Sequence, residues 1–302
     1  MRIEFKLGVA LLAIALPASQ ASAERIFGLT QGAAPSIVTF DSDNLGVTTS
    51  SGAIAGLGGD TLVGLDLRPA TRGLYSVGTS GKVYLISKNA SGTGYTATSQ
   101  GVLTTATGAT VPVNSRAYGL DFNPVPDRIR LIGSNDQNLR INPMTAVTAV
   151  DGMVTSNLGN VDIIGAAYSR NRPGLMTTTL YAFDATNDTL LRSTAPNAGT
   201  YVNTNLAGAT FGPFGFDIDV SNNFGFDISG GTRVAYVQNN DQFGTVSLVS
   251  GKATLLGTIG AGNLVDITAG SVPEPTTWAL MIGGFGLVGS AMRRRASNVA
   301  TA

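Results

Sequence analysis

One heptapeptide pattern recurs along this chain: an apolar residue, Gly, an apolar residue, Asp, an apolar residue, then a turn. It reads VGLDLRP at Val63–Pro69, YGLDFNP at Tyr118–Pro124 and FGFDIDV at Phe214–Val220. Two weaker copies are IGAAYSR at Ile164–Arg170, which lacks the Asp, and NLVDITA at Asn263–Ala269, which lacks the Gly. Their centres at 65, 120, 166, 216 and 265 are spaced by 55, 46, 50 and 49 residues. A period near 50 built from short strands predicts radial repetition, a β-propeller, rather than a sandwich.

Each copy is followed by further strand-like runs. After the first come GLYSVG (73–78), KVYLIS (82–87) and GYTATSQG (94–101); after the second come RIRLIG (128–133), NLRINP (138–143) and AVTAVDG (146–152). Gly, Asn, Asp and Pro mark the turns, so each unit reads as four strands. The segment after residue 24 supplies RIFGLT (25–30), SIVTFD (36–41) and GVTTSSGAI (46–54), three strands with no first strand before them. The last copy is a first strand with nothing after it. Joined, they form a fifth blade built from both ends of the body. The expected fold is all-β, a five-bladed propeller over 24–270 closed by N- and C-terminal strands.

Composition agrees and excludes some chemistry. Gly is abundant at 39 residues and charged residues make up only 13%, which suits turns and strands better than helices. The chain has no Cys and no His, which removes disulfides, thiolates, the commonest general base and the commonest metal ligand. Setting aside Arg2, Glu4, Lys6, Glu274 and Arg293–Arg295 at the two ends leaves 14 basic and 17 acidic residues in the body. A mildly acidic body lacks the basic footprint that nucleic acid requires.

The two ends read as addresses. Residues 1–23 carry a basic start, an apolar run from Leu7 to Leu16 and the small-x-small site Ala21-Ser22-Ala23, the layout of a secretory signal helix cleaved before Glu24. Trp278 to Met292 is 15 residues without a charge. At about 1.5 Å per residue it spans roughly 22 Å, enough to cross a bilayer with its flanks and local thinning. Arg293, Arg294 and Arg295 follow and are expected to stay cytoplasmic. The expected order is signal peptide (1–23), body (24–270), linker (271–277), transmembrane helix (278–292) and basic tail (293–302).

Val272, Pro273, Glu274 and Pro275, then the apolar run, then Arg293–Arg295, resemble the PEP-CTERM sorting signal of Gram-negative bacteria. That resemblance implies an exosortase-type membrane protease as partner. It also implies an exported precursor tethered in the inner membrane with its body in the periplasm, sent on to the cell surface or extracellular matrix. The prolines keep the segment extended and out of any helix.

The body, through LVGLDLRPATRGLYSVG, YGLDFNPVPDRIRLIGSNDQNLRINP, IIGAAYSRN and LLGTIG, resembles a domain-of-unknown-function family, number 4394, over roughly Arg25 to Thr268. The resemblance implies a propeller-like fold outside the cytoplasm and carries no catalytic residues.

Within each blade the first strand lines the axis, where Gly permits close approach and Asp66, Asp121, Asp217 and Asp266 converge. Two readings stand for these carboxylates. They accept hydrogen bonds from turn backbones of their own blades, or they form a ring that coordinates a cation such as Ca²⁺. Arg170 and Arg172, in SRNRP where one blade loses its Asp, are candidates for anion binding. For the whole chain, one expectation is a non-enzymatic module without cofactor, holding an extracellular polysaccharide or surface protein through its loop face. The other is a carboxylate- or metal-dependent lyase or hydrolase acting on an exported polysaccharide, against which the absent His weighs.

Overall fold

Short runs rich in Val, Ile, Thr and Tyr, each cut off by Gly, Asn, Asp or Pro, become strands throughout the residues that the computed structural model describes, 23–203 and 223–270. The chain opens with β1 (Arg25–Thr30), β2 (Ser36–Asp41) and β3 (Asn44–Ala53). A first complete blade follows: β4 (Leu62–Leu67), β5 (Leu74–Gly78), β6 (Lys82–Lys88) and β7 (Tyr95–Val102). The second is β8 (Tyr118–Asn123), β9 (Arg128–Gly133), β10 (Asn138–Ile141) and β11 (Thr148–Val150).

The third blade holds β12 (Thr155–Ser156), β13 (Ile163–Tyr168), β14 (Leu180–Asp184), β15 (Thr189–Ala195) and β16 (Thr200–Asn203). The fourth holds β17 (Phe224–Ile228), β18 (Ala235–Asn239), β19 (Gln242–Val246) and β20 (Ala253–Thr258). The last strand, β21 (Leu264–Gly270), pairs antiparallel with β1, from Arg25 opposite Gly270 to Thr30 opposite Leu264. The order β21-β1-β2-β3 is the expected blade built from both ends of the body.

Five sheets thus stand around one axis, with β4, β8, β13, β17 and β21 innermost, each against the next and β21 against β4. Two details differ from the sequence reading. The third blade carries an extra strand, because β12 from the preceding connection pairs parallel with β16. Gly199 permits this: it lies at φ 71°, and a Cβ there would come within 2.5 Å of the Gly152 carbonyl oxygen. The inner strand of the fourth blade is FGFDI at 224–228. The copy at Phe214–Val220 lies outside the described residues, as do 1–22 of the expected signal segment and the expected span at 278–292. Among the described residues no helix is long and apolar enough to cross a membrane.

The core sits between blades rather than within one sheet. Five buried clusters occupy the five interfaces, for example Tyr75 and Val83 against Leu120 and Phe122, and Ile26 and Phe40 against Tyr236 and Phe243. Aromatic pairs meet edge to face across three of them: Tyr75–Phe122 at 5.4 Å, Phe183–Phe226 at 4.9 Å and Phe40–Phe243 at 5.2 Å between centroids.

The repeat glycine makes this packing feasible. A Cβ on Gly119 would sit 2.6 Å from both the Ala166 Cβ and the Gly165 carbonyl carbon, so any side chain forces β8 and β13 apart. Gly119→Ala is therefore expected to cost about 2–3 kcal/mol. Gly46→Ala, with nothing within 4 Å of the added carbon, is expected to stay within about 0.5 kcal/mol of the parent. Urea unfolding of the two variants checks the contrast.

Candidate functional site: the axial carboxylates and the arginine-lined mouth

An inner strand is hydrogen-bonded to a partner strand on one side only, so the backbone N–H groups on its other side need acceptors where no water reaches. The side chains at 66, 121, 227 and 268 supply them across blades. Asp66 Oδ2 accepts from Phe122 N at 2.7 Å, and Asp227 Oδ2 from Ala269 N at 2.6 Å. Thr268 Oγ1 accepts from Leu67 N at 3.3 Å, and the Asp121 carboxylate from Tyr168 N. Each acceptor serves the residue just past its counterpart on the next blade. Ala167 occupies the fifth position and offers no acceptor; there Ile228 N turns to its own neighbour, Asp227 Oδ1, at 2.6 Å.

These cross-blade bonds stand beside bonds within each blade, such as Leu67 N to Asp66 Oδ1 at 2.7 Å, whose donors lie in the inner strands and not in the expected turns. The cross-blade pattern also fixes the register of the last strand. Thr268, and not Asp266, stands in the ring with Asp66, Asp121 and Asp227. Asp266 lies two residues earlier on the same face, where it accepts from Leu65 N and Ile267 N, both at 2.9 Å.

The ring is electrostatically unusual. Asp66 and Asp121 are 1% exposed and Asp227 2%, and each presents one oxygen within 4.8 Å of the others. Burial pushes the carboxyls of Asp66, Asp121 and Asp266 well above the usual range, and neighbouring acids push them further. Asp227 is also raised, by burial first. Thr268 Oγ1 lies 2.7 Å from Asp66 Oδ1 and 3.1 Å from Asp227 Oδ2, and its single proton serves one of them at a time. Among the described residues Asp121 Oδ1 has no hydrogen-bond partner. With no His or Cys in the chain, a metal here would see oxygen ligands alone, which suits a hard cation.

Where the inner strands end, a cavity of about 470 Å³ opens, lined by Arg68, Arg72, Asn171, Arg172, Gly230 and Gly270 among others. Arg68 is tied down: its Nε donates to Asp127 Oδ1 at 2.9 Å, and its guanidinium carbon lies 5.8 Å from the Tyr75 ring centroid. The pairing with Asp127 holds its pKa above the ordinary arginine value. Arg72 and Asp127 both adopt left-handed backbone, φ 59° and 54°, which is uncommon for residues with a side chain. Arg172 is exposed at the rim. Arg170, its partner in the sequence expectation, does not line this cavity and donates instead to Thr177 Oγ1 at 3.3 Å. The opposite mouth is smaller, about 280 Å³, and is lined by the starts of the inner strands, with Arg116 the one arginine among the described lining residues.

Residues 36–268 match the family model described as "Domain of unknown function (DUF4394)". The chain belongs to the DUF4394 family. Residues 271–295 of this DUF4394 protein match the PEP-CTERM protein-sorting motif, which implies export and processing by exosortase, a membrane protein. No curated protein matches it. Among solved structures it is similar to a protein of unknown function from Bacteroides thetaiotaomicron VPI-5482, at 16% identity and TM-score 0.45, over 83% of this chain and 65% of that one. It is also similar to Myxococcus xanthus glutaminyl cyclase, at 13% identity and TM-score 0.41, over 70% of this chain and 84% of that one. A third likeness is to a chain of a nidogen/laminin complex, at 12% identity and TM-score 0.46, over 82% and 98% of the two chains.

The remaining expected site residues divide between the two ends of the DUF4394 domain. Val272, Pro273, Glu274, Pro275 and Arg293–Arg295 lie outside the described residues, and so do Ala21 and Asp217. Ala23 and Glu24 are described. Glu24 is 2% exposed, its N–H donates to Ser42 Oγ at 3.0 Å, and its Oε2 accepts from Thr232 Oγ1 at 2.9 Å. The residue expected to begin the mature chain is thus a latch between the fifth and fourth blades. Sequence reasoning passed over Arg68 and Arg72, although both follow the first Asp copy in DLRPATR.

Proposed function

We propose that this protein is an exported, exosortase-sorted, non-enzymatic binding module that holds an acidic extracellular polysaccharide at its arginine-lined mouth. The observation that carries this reading is the 470 Å³ cavity into which Arg68, Arg72 and Arg172 converge from two blades. Guanidinium groups pair with carboxylates in a planar, bidentate fashion, and the uronic acids of an anionic polymer present such groups along a chain. Arg68, fixed against Asp127 and Tyr75, gives the site a rigid wall, while Arg172 meets the ligand from the rim. The sorting motif supports delivery to a compartment where such polymers lie. The enzymatic alternative would need carboxylates that substrate can reach, and those on the axis are closed off from a polymer.

The test is co-sedimentation of the full chain with polygalacturonate and, separately, with neutral dextran. Binding to the polyuronate alone is expected, weakening with salt. Loss of about tenfold in affinity is expected for each of Arg72→Ala and Arg172→Ala, in line with one charged hydrogen bond apiece. Equal retention on dextran, or a double variant that binds like the parent, would overturn the reading.

A further inference from the structure

We propose that Asp66, Asp121 and Asp227 coordinate one hard divalent cation of the calcium class on the propeller axis. The proposal is independent of the ligand at the mouth and rests on two separate observations. The first is geometric: three carboxylates from three blades bring one oxygen each within 4.8 Å of one another, a separation that ligands at about 2.3–2.6 Å from a shared calcium ion satisfy. The second is the orphaned Asp121 Oδ1. That oxygen meets no donor among the described residues, on a side chain that is 1% exposed, while the Asp121 and Asp227 carboxyls stand within hydrogen-bonding reach of each other. Two acceptors in contact need something positive between them.

Among the described residues no basic side chain supplies it. The charged groups acting on Asp121 are Asp66 and Asp227, and those acting on Asp266 are the same two. Arg130, the fully buried guanidinium in the neighbouring interface, is committed to Asp151, Asn138, Asn197 and Tyr168. Two candidates remain, a proton shared by Asp121 and Asp227 or a metal ion. A shared proton would answer one contact and leave Asp66 facing the pair. A divalent cation answers all three carboxylates at once, and extracellular modules bind calcium with dissociation constants of about 10⁻⁴–10⁻³ M. The all-oxygen donor set disfavours softer metals. Such an ion would tie the first, second and fourth blades together at the hub, with Thr268 completing the fourth filled position of the ring.

Metal content and thermal unfolding of the full chain, purified in detergent without chelator, decide the matter. After dialysis against 10 mM calcium, about one calcium per chain is expected. EDTA should remove it and lower the unfolding midpoint by about 5 °C or more if calcium had been a hundredfold above its dissociation constant. Asp121→Asn should lose at least tenfold in bound calcium, whereas the exposed Asp43→Asn should retain it. Fewer than about 0.1 calcium per chain in the parent, with a midpoint indifferent to EDTA, would overturn the proposal whether or not the variants fold. So would an Asp121→Asn chain that binds calcium as tightly as the parent.

Discussion

A body ending at Gly260 will not close its ring, and its unfolding midpoint will collapse relative to a body ending at Gly270. The ten residues between them contain β21, which pairs with β1 along its whole length. Leu264 and Ile267 are buried in the interface between the fourth and fifth blades, and each contributes about 1.5–3 kcal/mol. Losing β21 also strips the acceptor from Leu65 N and the donor from Asp227 Oδ2. With the β1 hydrogen bonds added at about 1 kcal/mol each, the loss is comparable to the entire net stability of a typical domain, about 5–15 kcal/mol. The exposed edge of β1 then invites aggregation. Removing only 271–302 leaves every described blade strand in place and should leave the midpoint where it was. Equal midpoints for the two truncations would contradict the closure.

The second large effect concerns a buried ion pair. Arg130 is 1% exposed and joins the second blade to the third: its Nη1 meets Asp151 Oδ2 and Asn138 Oδ1, both at 2.7 Å, its Nη2 meets Asn197 Oδ1 at 2.8 Å, and its Nε meets the Tyr168 hydroxyl at 3.2 Å. Asp151 is also held by Arg140 Nε at 2.7 Å, and Arg140 is 34% exposed. The three charges are therefore not interchangeable. Asp151→Ala strands a guanidinium without a counter-charge and should cost about 3–5 kcal/mol. Arg130→Met leaves Asp151 paired with Arg140 and should cost less. Arg140→Ala removes a group that water already solvates, for about 1 kcal/mol or below. Chemical denaturation of the three variants should return that order; a costlier Arg140→Ala would show that the outer arginine carries the pair.

The blades and their closure were readable because strand alternation and turn residues are local signals, and because three strands without a first met a first strand without three. Two failures have physical causes. FGFDIDV and FGFDISG lie ten residues apart, at 214–220 and 224–230, and the near-50 period favours the earlier copy; only packing against β13 and β21 identifies Asp227 as the axial residue. In the last strand, side chains alternate with period 2, so a two-residue shift keeps every residue on its face and alternation cannot tell Asp266 from Thr268. The acceptor pattern across blades tells them apart. The mouth was half legible: Arg172 was visible as an exposed loop cation, but its convergence with Arg68 and Arg72, a hundred residues away, is a product of the ring alone.

Gly270 both pairs with Arg25 and lines the arginine cavity, so the body is held by its handle at the very rim of its opening. The seven residues 271–277 reach about 25 Å at full extension. Whatever grips the chain just beyond them therefore stands no farther than about that distance from the rim of the 470 Å³ mouth.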